Sequence, residues 1–166
     1  LTNDHPRMVI PFRDADGKVF AYQGRAFGEE QPKYITIVLD KTKKKIFGLD
    51  RVDNDRSILI CEGPIDSFFL PNCLAVAQGD LRLPQYKEKS TLVFDNEPRN
   101  REIVKNIEKA VEEGYSVVIW PQDIEEKDIN DMIIFGLTNV EISDIIHRNT
   151  FSGLQAKTQL SHWKKV

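Results

Sequence analysis

Residues 57–70, Ser-Ile-Leu-Ile-Cys-Glu-Gly-Pro-Ile-Asp-Ser-Phe-Phe-Leu, constrain the fold more than any other stretch of the chain. Residues 57–61 form a short, mostly apolar run of the kind that makes a strand buried on both faces. Glu62 stands directly at the carboxyl end of that strand. Gly63 permits a tight turn, and Pro64 suits the opening of a helix, where its missing N–H would have no partner anyway. Phe68, Phe69 and Leu70 read as the face that pins this helix to the sheet. A strand that runs into a helix in this way belongs to an open α/β sheet, whose ligands bind beyond the carboxyl ends of the strands. A carboxylate fixed there is suited to holding a metal ion.

The pattern repeats downstream. Strand-like runs at 57–61, 73–77, 91–94 and 116–120 alternate with helical patterns, which implies a parallel sheet with right-handed crossovers. The clearest helix lies before the last strand. It is expected to start at Pro98, with Ile103, Ile107, Ala110 and Val111 on one face and Gly114 just past its end. A short helix at 131–135 ends at Gly136, Thr138 and Glu141 form a capping box for another, and 151–166 reads as a final amphipathic helix. The first third of the chain differs. Apolar residues 8–12, a turn at Asp14-Ala-Asp-Gly17 and a return strand at 18–26 predict an antiparallel hairpin, with Gly24-Arg25 interrupting the second strand. Further strand-like runs follow at 34–39 and 46–52. The expected organisation is a small β-rich basic subdomain (1–56), an α/β domain with a parallel sheet (57–135) and a helical C-terminal segment (136–166).

Composition narrows the function classes. With 166 residues, the chain has room for one sizeable domain and a small subdomain. A net charge of −3 gives no global attraction to nucleic acid, so a polyanion would need a local basic patch or metal ions. The one dense basic block, Lys-Thr-Lys-Lys-Lys at 41–45, reads as a solvated turn or as such a contact. Cys61 and Cys73 fall in apolar runs and are expected as reduced core residues of a cytosolic protein, with no zinc-ligand spacing around them. No apolar segment is long enough to span a bilayer and no signal peptide is evident, so the expected location is the cytoplasm. Leu1 in place of an initiator methionine reads as a piece of something longer.

Acids follow three of the four strands. Glu62 follows the first, Asp95-Asn96-Glu97 the third, and Asp123 the fourth, with Lys127-Asp128-Ile129-Asn130-Asp131 shortly after. A parallel sheet places all of these on one edge. If the strand order is 2-1-3-4, the switch point falls between the first and third strands, and Glu62, Asp95 and Glu97 meet there with Asp128 alongside. Any one of these acids alone would read as solvated loop chemistry. Gathered together they repel, and each raises the others' pKa unless a cation sits among them. A few carboxylates plus water is how Mg²⁺ is held when it works on phosphates. Asp66 either bonds backbone N–H groups near the turn or is merely solvated.

Glu62-Gly63-x-x-Asp66, followed by the D-x-E pair Asp95 and Glu97, resembles the Toprim signature of bacterial-type primases, topoisomerases and some nucleases. Upstream, Asp16-Gly17-Lys18-Val19, Gly24-Arg25, Pro32-Lys33-Tyr34 and Phe47-Gly48-Leu49 look like the basic subdomain that precedes the Toprim fold in bacterial-type DNA primases. The run Lys127-Asp128-x-Asn130-Asp131 is similar to the last acidic motif of phage primases. Over residues 5–135 the chain thus resembles the catalytic core of DNA primases of T-even-type bacteriophages. Two departures stand out. The family's usual Asp is replaced by Glu97, whose longer arm would reach a metal through water. The amino-terminal zinc-binding module has no counterpart here, so no zinc is expected in this piece and its selection of template start sites should be poor.

The resemblance implies synthesis of RNA primers on single-stranded DNA from ribonucleoside triphosphates, with release of pyrophosphate. It implies two or more Mg²⁺ or Mn²⁺ ions held by Asp95, Glu97, Asp128 and Glu62, with Glu62 alternatively accepting the nucleophile's proton. Arg25, Lys33 and Lys127 would meet triphosphate or template, Arg as a bidentate partner and Lys as a point charge. Tyr34 would stack on a base, or serve only as a strand aromatic. Asp66, Asn130 and Asp131 would support the ligands from behind. A replicative helicase partner and, for a phage protein, the host cytoplasm are further expectations, with no membrane involved. The alternative chemistry on the same signature is that of a metal-dependent nuclease. A Rossmann-like adaptor without catalysis is a third reading.

Overall fold

The alternation of short apolar runs builds two sheets in the computed structural model, which describes residues 5–77 and 79–166. Strands β1 (Arg7–Arg13), β2 (Val19–Ala26) and β3 (Tyr34–Val38) form an antiparallel sheet in that order. The expected hairpin is present, and its turn is fastened by the Asp14 carboxylate, which accepts from the N–H groups of Asp16 and Lys18. Gly24 does not interrupt β2. The strand runs through it, opposite Val9 on one side and Ile35 on the other.

The larger sheet contains β4 (Ile46–Phe47), β5 (Ile58–Cys61), β6 (Cys73–Val76), β7 (Ser90–Val93), β8 (Ser116–Val118) and β9 (Thr150–Phe151). Its order is β4-β6-β5-β7-β8-β9. The four central strands pair in parallel, and their order is the expected 2-1-3-4. Both edges are antiparallel. β4 joins β6, so Ile46 and Phe47, read with the first third of the sequence, pair with the larger sheet. β9 joins β8.

The central strands alternate residues between two apolar layers. Ile58, Ile60, Leu74, Leu92 and Val117 face α1 (Arg101–Glu112) and α4 (Gly153–Trp163), and bury Ile107, Leu160 and Trp163 with them. Cys61, Cys73, Ala75, Val93 and Val118 face the other way. They meet Met132 and Ile142 from α2 (Ile129–Phe135) and α3 (Asn139–Arg148), together with Phe12 and Phe20 of the small sheet. Phe12 also packs edge-on against Phe47, with ring centroids 5.5 Å apart, which ties the two sheets together. Both cysteines are free and buried, as expected.

Three local expectations change. α1 starts after Pro98, because Asn100 caps it by accepting from the N–H groups of Glu102 and Ile103. The helix expected after Pro64 is only a four-residue 3-10 turn, Asp66–Phe69. Phe68 therefore does not pin it to the sheet. Phe68 is exposed, resting edge-on against Phe47 beneath the Arg51 guanidinium. The last helix begins at Gly153, because Phe151 is spent on β9. The capping box of Thr138 and Glu141 forms as its spacing predicts. No helix among the described residues is long and apolar enough to cross a membrane.

Candidate active site

Because β5 and β7 are parallel neighbours with Cys61 opposite Val93, the residues just beyond each strand emerge side by side. Glu62 and Asp95 meet there, and the Asp95 N–H donates to Glu62 Oε1 at 3.2 Å. The spacing Glu-Gly-x-x-Asp has a steric basis in the turn that follows. A Cβ on Gly63 would collide with Asp66 Oδ2, so a side chain there would push that carboxylate out of its fold across the turn. The other oxygen, Asp66 Oδ1, accepts from the Asn130 N–H at 2.9 Å and so reaches the first turn of α2. Asp128 caps the same helix by accepting from the Asp131 N–H at 2.8 Å. Carboxylates at a helix start are favoured by its exposed N–H groups. Asn130 and Asp131 thus enter the arrangement through their backbone.

Glu62, Asp66, Asp95 and Asp128 line one cavity of about 380 Å³. Its remaining wall includes Lys33 and Tyr34 from the small sheet and Lys127 from the loop before α2. Arg25 does not line it. Its guanidinium lies 5.8 Å from the centre of the Tyr34 ring, and its charge acts on Asp66. Gln23 does line it, a residue that the motif-based reading missed. Strand periodicity could have found it, since Gln23 shares a face of β2 with buried Ala21. It is buried, its Nε2 reaches Thr36 Oγ1 at 3.4 Å, and its Oε1 has no partner.

The electrostatics match a crowded acid cluster. Burial raises the Asp95 pKa to about 8, helped by the charges of Glu62, Asp66 and Asp128. Burial likewise brings Asp66 up to about 6, with Asp128 adding to the shift and the Asn130 N–H opposing it. Glu62 is raised by burial, against the stabilising bond from Asp95 N–H. Tyr34 is raised by burial, with Arg25 opposing and Asp66, Asp128 and Asp95 reinforcing the shift. At Lys127 partial burial works downward, and the charges of Glu97, Asp95 and Asp128 outweigh it.

Glu97 does not line this cavity, although its charge adds to the rise at Glu62. It lines a larger one, about 690 Å³, on the other side of the Asp95–Glu97 turn, together with Asn100, Gln122 and Trp163. Its Oε2 accepts from Asn100 Nδ2 at 3.3 Å and its Oε1 lies 3.7 Å from Lys127 Nζ. Lys127 also lies 4.0 Å from Asp95. Among the described residues, no three His, Cys, Asp or Glu side chains stand in a geometry that would hold a metal ion by themselves. The donor chemistry nevertheless fits a hard divalent cation of the Mg²⁺ type, which takes one or two carboxylates, keeps several waters and completes its shell with substrate phosphates.

No protein-family model matches the chain. The DNA primase of Enterobacteria phage T4 is 40% identical over 166 residues, covering 97% of this chain and 48% of that protein. The chain therefore spans about half the length of this relative. The E. coli primase catalytic core superposes with a TM-score of 0.68 over 95% of this chain and 55% of the other, at 17% identity. A DnaG primase catalytic domain bound to single-stranded DNA gives the same TM-score and coverages at 16% identity. In sequence the chain is similar to a phage DNA primase over nearly its whole length, and in fold it carries the architecture of primase catalytic cores.

Proposed function

We propose that this chain carries the nucleotidyl-transfer centre of a DNA primase, which builds short RNA primers on single-stranded DNA from ribonucleoside triphosphates. The observation that carries the reading is the convergence of Glu62, Asp66, Asp95 and Asp128, from three separate parts of the chain, on a cavity faced by Lys33, Tyr34 and Lys127. The 40% identity to a protein named DNA primase supports the same reading.

Asp95 and Asp128, with Glu62 as a further ligand if it does not serve as the base, would hold two or more divalent cations, Mg²⁺ or Mn²⁺, and Glu97 would approach from the side through water. Such ions, when bound, neutralise triphosphate charge and favour ionisation of the attacking hydroxyl. The chain's own groups supply the rest. Glu62, oriented through its bond to Asp95 N–H, is placed to receive the proton that leaves the 3′-hydroxyl. Asp66 and the backbone of Asn130 and Asp131 hold Asp128 and the start of α2 in register. Lys33 and Lys127 counter phosphate charge, Arg25 meets the template backbone, and Tyr34 offers a ring for a base. A replicative helicase is the expected partner, in the cytoplasm (the host's, for a phage-encoded protein), and the acid cluster of this stretch calls for Mg²⁺ or Mn²⁺.

The test is incubation with Mg²⁺ or Mn²⁺, single-stranded DNA and labelled ribonucleotides. Lengthening oligoribonucleotides support the primase. Shortened DNA would support the nuclease instead, and neither product would leave a non-catalytic module.

A further inference from the structure

Asp95 is held from both sides by residues that the chemistry described above does not use. On its amino-terminal side, Trp120 Nε1 donates to the Phe94 carbonyl at 2.8 Å. On its carboxyl side, Asn96 bonds through every polar group of its side chain. Its Oδ1 accepts from Trp163 Nε1 at 3.1 Å. Its Nδ2 donates to the carbonyls of Ile124 at 2.9 Å and Glu126 at 3.1 Å. Its backbone N–H donates to the Lys127 carbonyl at 2.6 Å. These bonds reach across 28 residues to Ile124 and 67 to Trp163. The last helix is fastened at the same point, since the Lys165 N–H donates to the Pro98 carbonyl at 2.8 Å and Trp163 is buried in the core.

We propose that Asn96 is a positioning residue, and that Trp163 of the last helix acts through it to set Asp95 and Asp128 at their working separation. The geometry requires this division of labour. Asp95 and Asp128 lie on different elements, and the segment between β8 and α2 has only one hydrogen bond within the residues 121–127, from the Ile124 N–H to the Pro121 carbonyl. Three carbonyls of that segment, those of Ile124, Glu126 and Lys127, are instead bonded by Asn96. With the Asn96 side chain removed, two of the three lose their partner and the segment leading into Asp128 is released. With the indole N–H removed, the amide loses the bond that orients its oxygen. The C-terminal helix, which contributes no group to the acid cavity, is thereby a working part of the site. Partners that orient ligands from behind typically change affinity or activity by roughly tenfold to a hundredfold when lost.

This inference rests on the primase reading for its activity readout, and hydrogen exchange tests it independently. Asn96→Ala and Trp163→Phe are compared with Ile107→Ala, which opens the same apolar core without touching a polar bond. Amide exchange in residues 122–130 should speed up in the first two variants and match wild type in the third. Primer synthesis should fall about tenfold or more in the first two and stay within about twofold for Ile107→Ala at a temperature where all are folded. If Asn96→Ala does not fold, Trp163→Phe, which keeps an aromatic ring in the core, decides alone. Wild-type exchange across 122–130 in Trp163→Phe, or synthesis that merely tracks melting temperature in all three, overturns the proposal. A wild-type chain that makes no primer defeats the primase reading while the exchange comparison still stands.

Discussion

The two walls of the acid cavity are built on opposite principles. The acidic wall draws Glu62 and Asp66, Asp95, and Asp128 from positions after β5, after β7 and at the start of α2. On the cationic side, Lys33 and Tyr34 face the cavity from β3 and the connection before it, and Arg25, outside the lining, stands directly opposite Tyr34 in the register of β2 and β3. Glu62, Asp66 and Asp128 each accept from a backbone N–H group, and Asp95 is tied to Glu62 through its own N–H. The cations rest beside the Tyr34 ring, half-buried Arg25 at 5.8 Å and exposed Lys33 at 6.0 Å. Buried carboxylates that repel one another need a rigid frame, because any relaxation would separate them. Cations that meet a moving strand need only be present at about the right place.

That contrast is open to attack at several points. The largest effect is expected on the acidic wall. Asp95→Asn should lower primer synthesis by roughly a hundredfold or more, the kinetic equivalent of several kcal/mol of lost charge stabilisation. The same change should raise the melting temperature of the metal-free protein near neutral pH. The unfolded chain ionises Asp95 near its ordinary value of about 4, whereas the folded chain does so near about 8. Folding is therefore disfavoured increasingly as pH climbs through that interval, and not below it. Thermal melts in a chelator should show the advantage of the variant widening from pH 4 toward pH 8 and levelling off beyond. A gap that stayed constant with pH would mean the carboxylate is not buried as described.

A smaller loss is expected from Gly63→Ala. The added methyl must displace the Asp66 carboxylate and weaken its bond to Asn130 N–H. Loss of a buried charge-assisted bond of this kind costs about 1–3 kcal/mol, readable in chemical denaturation, and synthesis should fall with it. On the cationic wall, Arg25→Ala should weaken single-stranded DNA binding evenly across sequences and reduce the slope of log affinity against log salt by about 1. The metal concentration needed for activity should not move. A shift in metal dependence with Arg25→Ala would erase the distinction between the walls. The smallest effect belongs to Tyr34→Phe, which keeps the stacking ring and removes only the hydroxyl, so template affinity should stay within about twofold of wild type.

Local signals were legible where one short stretch decides the outcome. The turn at Asp14, the capping box at Thr138 and the alternation of strands were all readable, because each depends on residues a few positions apart. The strand order leaves no such local trace: 2-1-3-4 is a condition for the acids to meet, and the sheet fulfils it, so that Glu62 and Asp95 emerge as neighbours. The helix after Pro64 was over-read. The chain there turns back at once through Leu70 into β6, leaving room for a single 3-10 turn and putting Phe68 outside. Glu97 shares a motif with Asp95 and its charge acts on Glu62, yet it lines the neighbouring cavity and not the one that the other acids share. Gln23 and Asn96 carried no motif at all. Their importance lies in partners that are distant in the sequence.

What the sequence determined by itself was the four central parallel strands, the edge on which the acids would appear and a turn at Gly63 directly after Glu62. Hydrophobic periodicity and turn chemistry act over a few residues and leave a readable pattern. Only the tertiary structure decided which acids share a cavity, that Asp66 reaches α2, and that a tryptophan near the C-terminus fastens the segment leading to Asp128. Those outcomes depend on how separate elements pack and on which backbone groups are left to be bonded, and no local pattern encodes either.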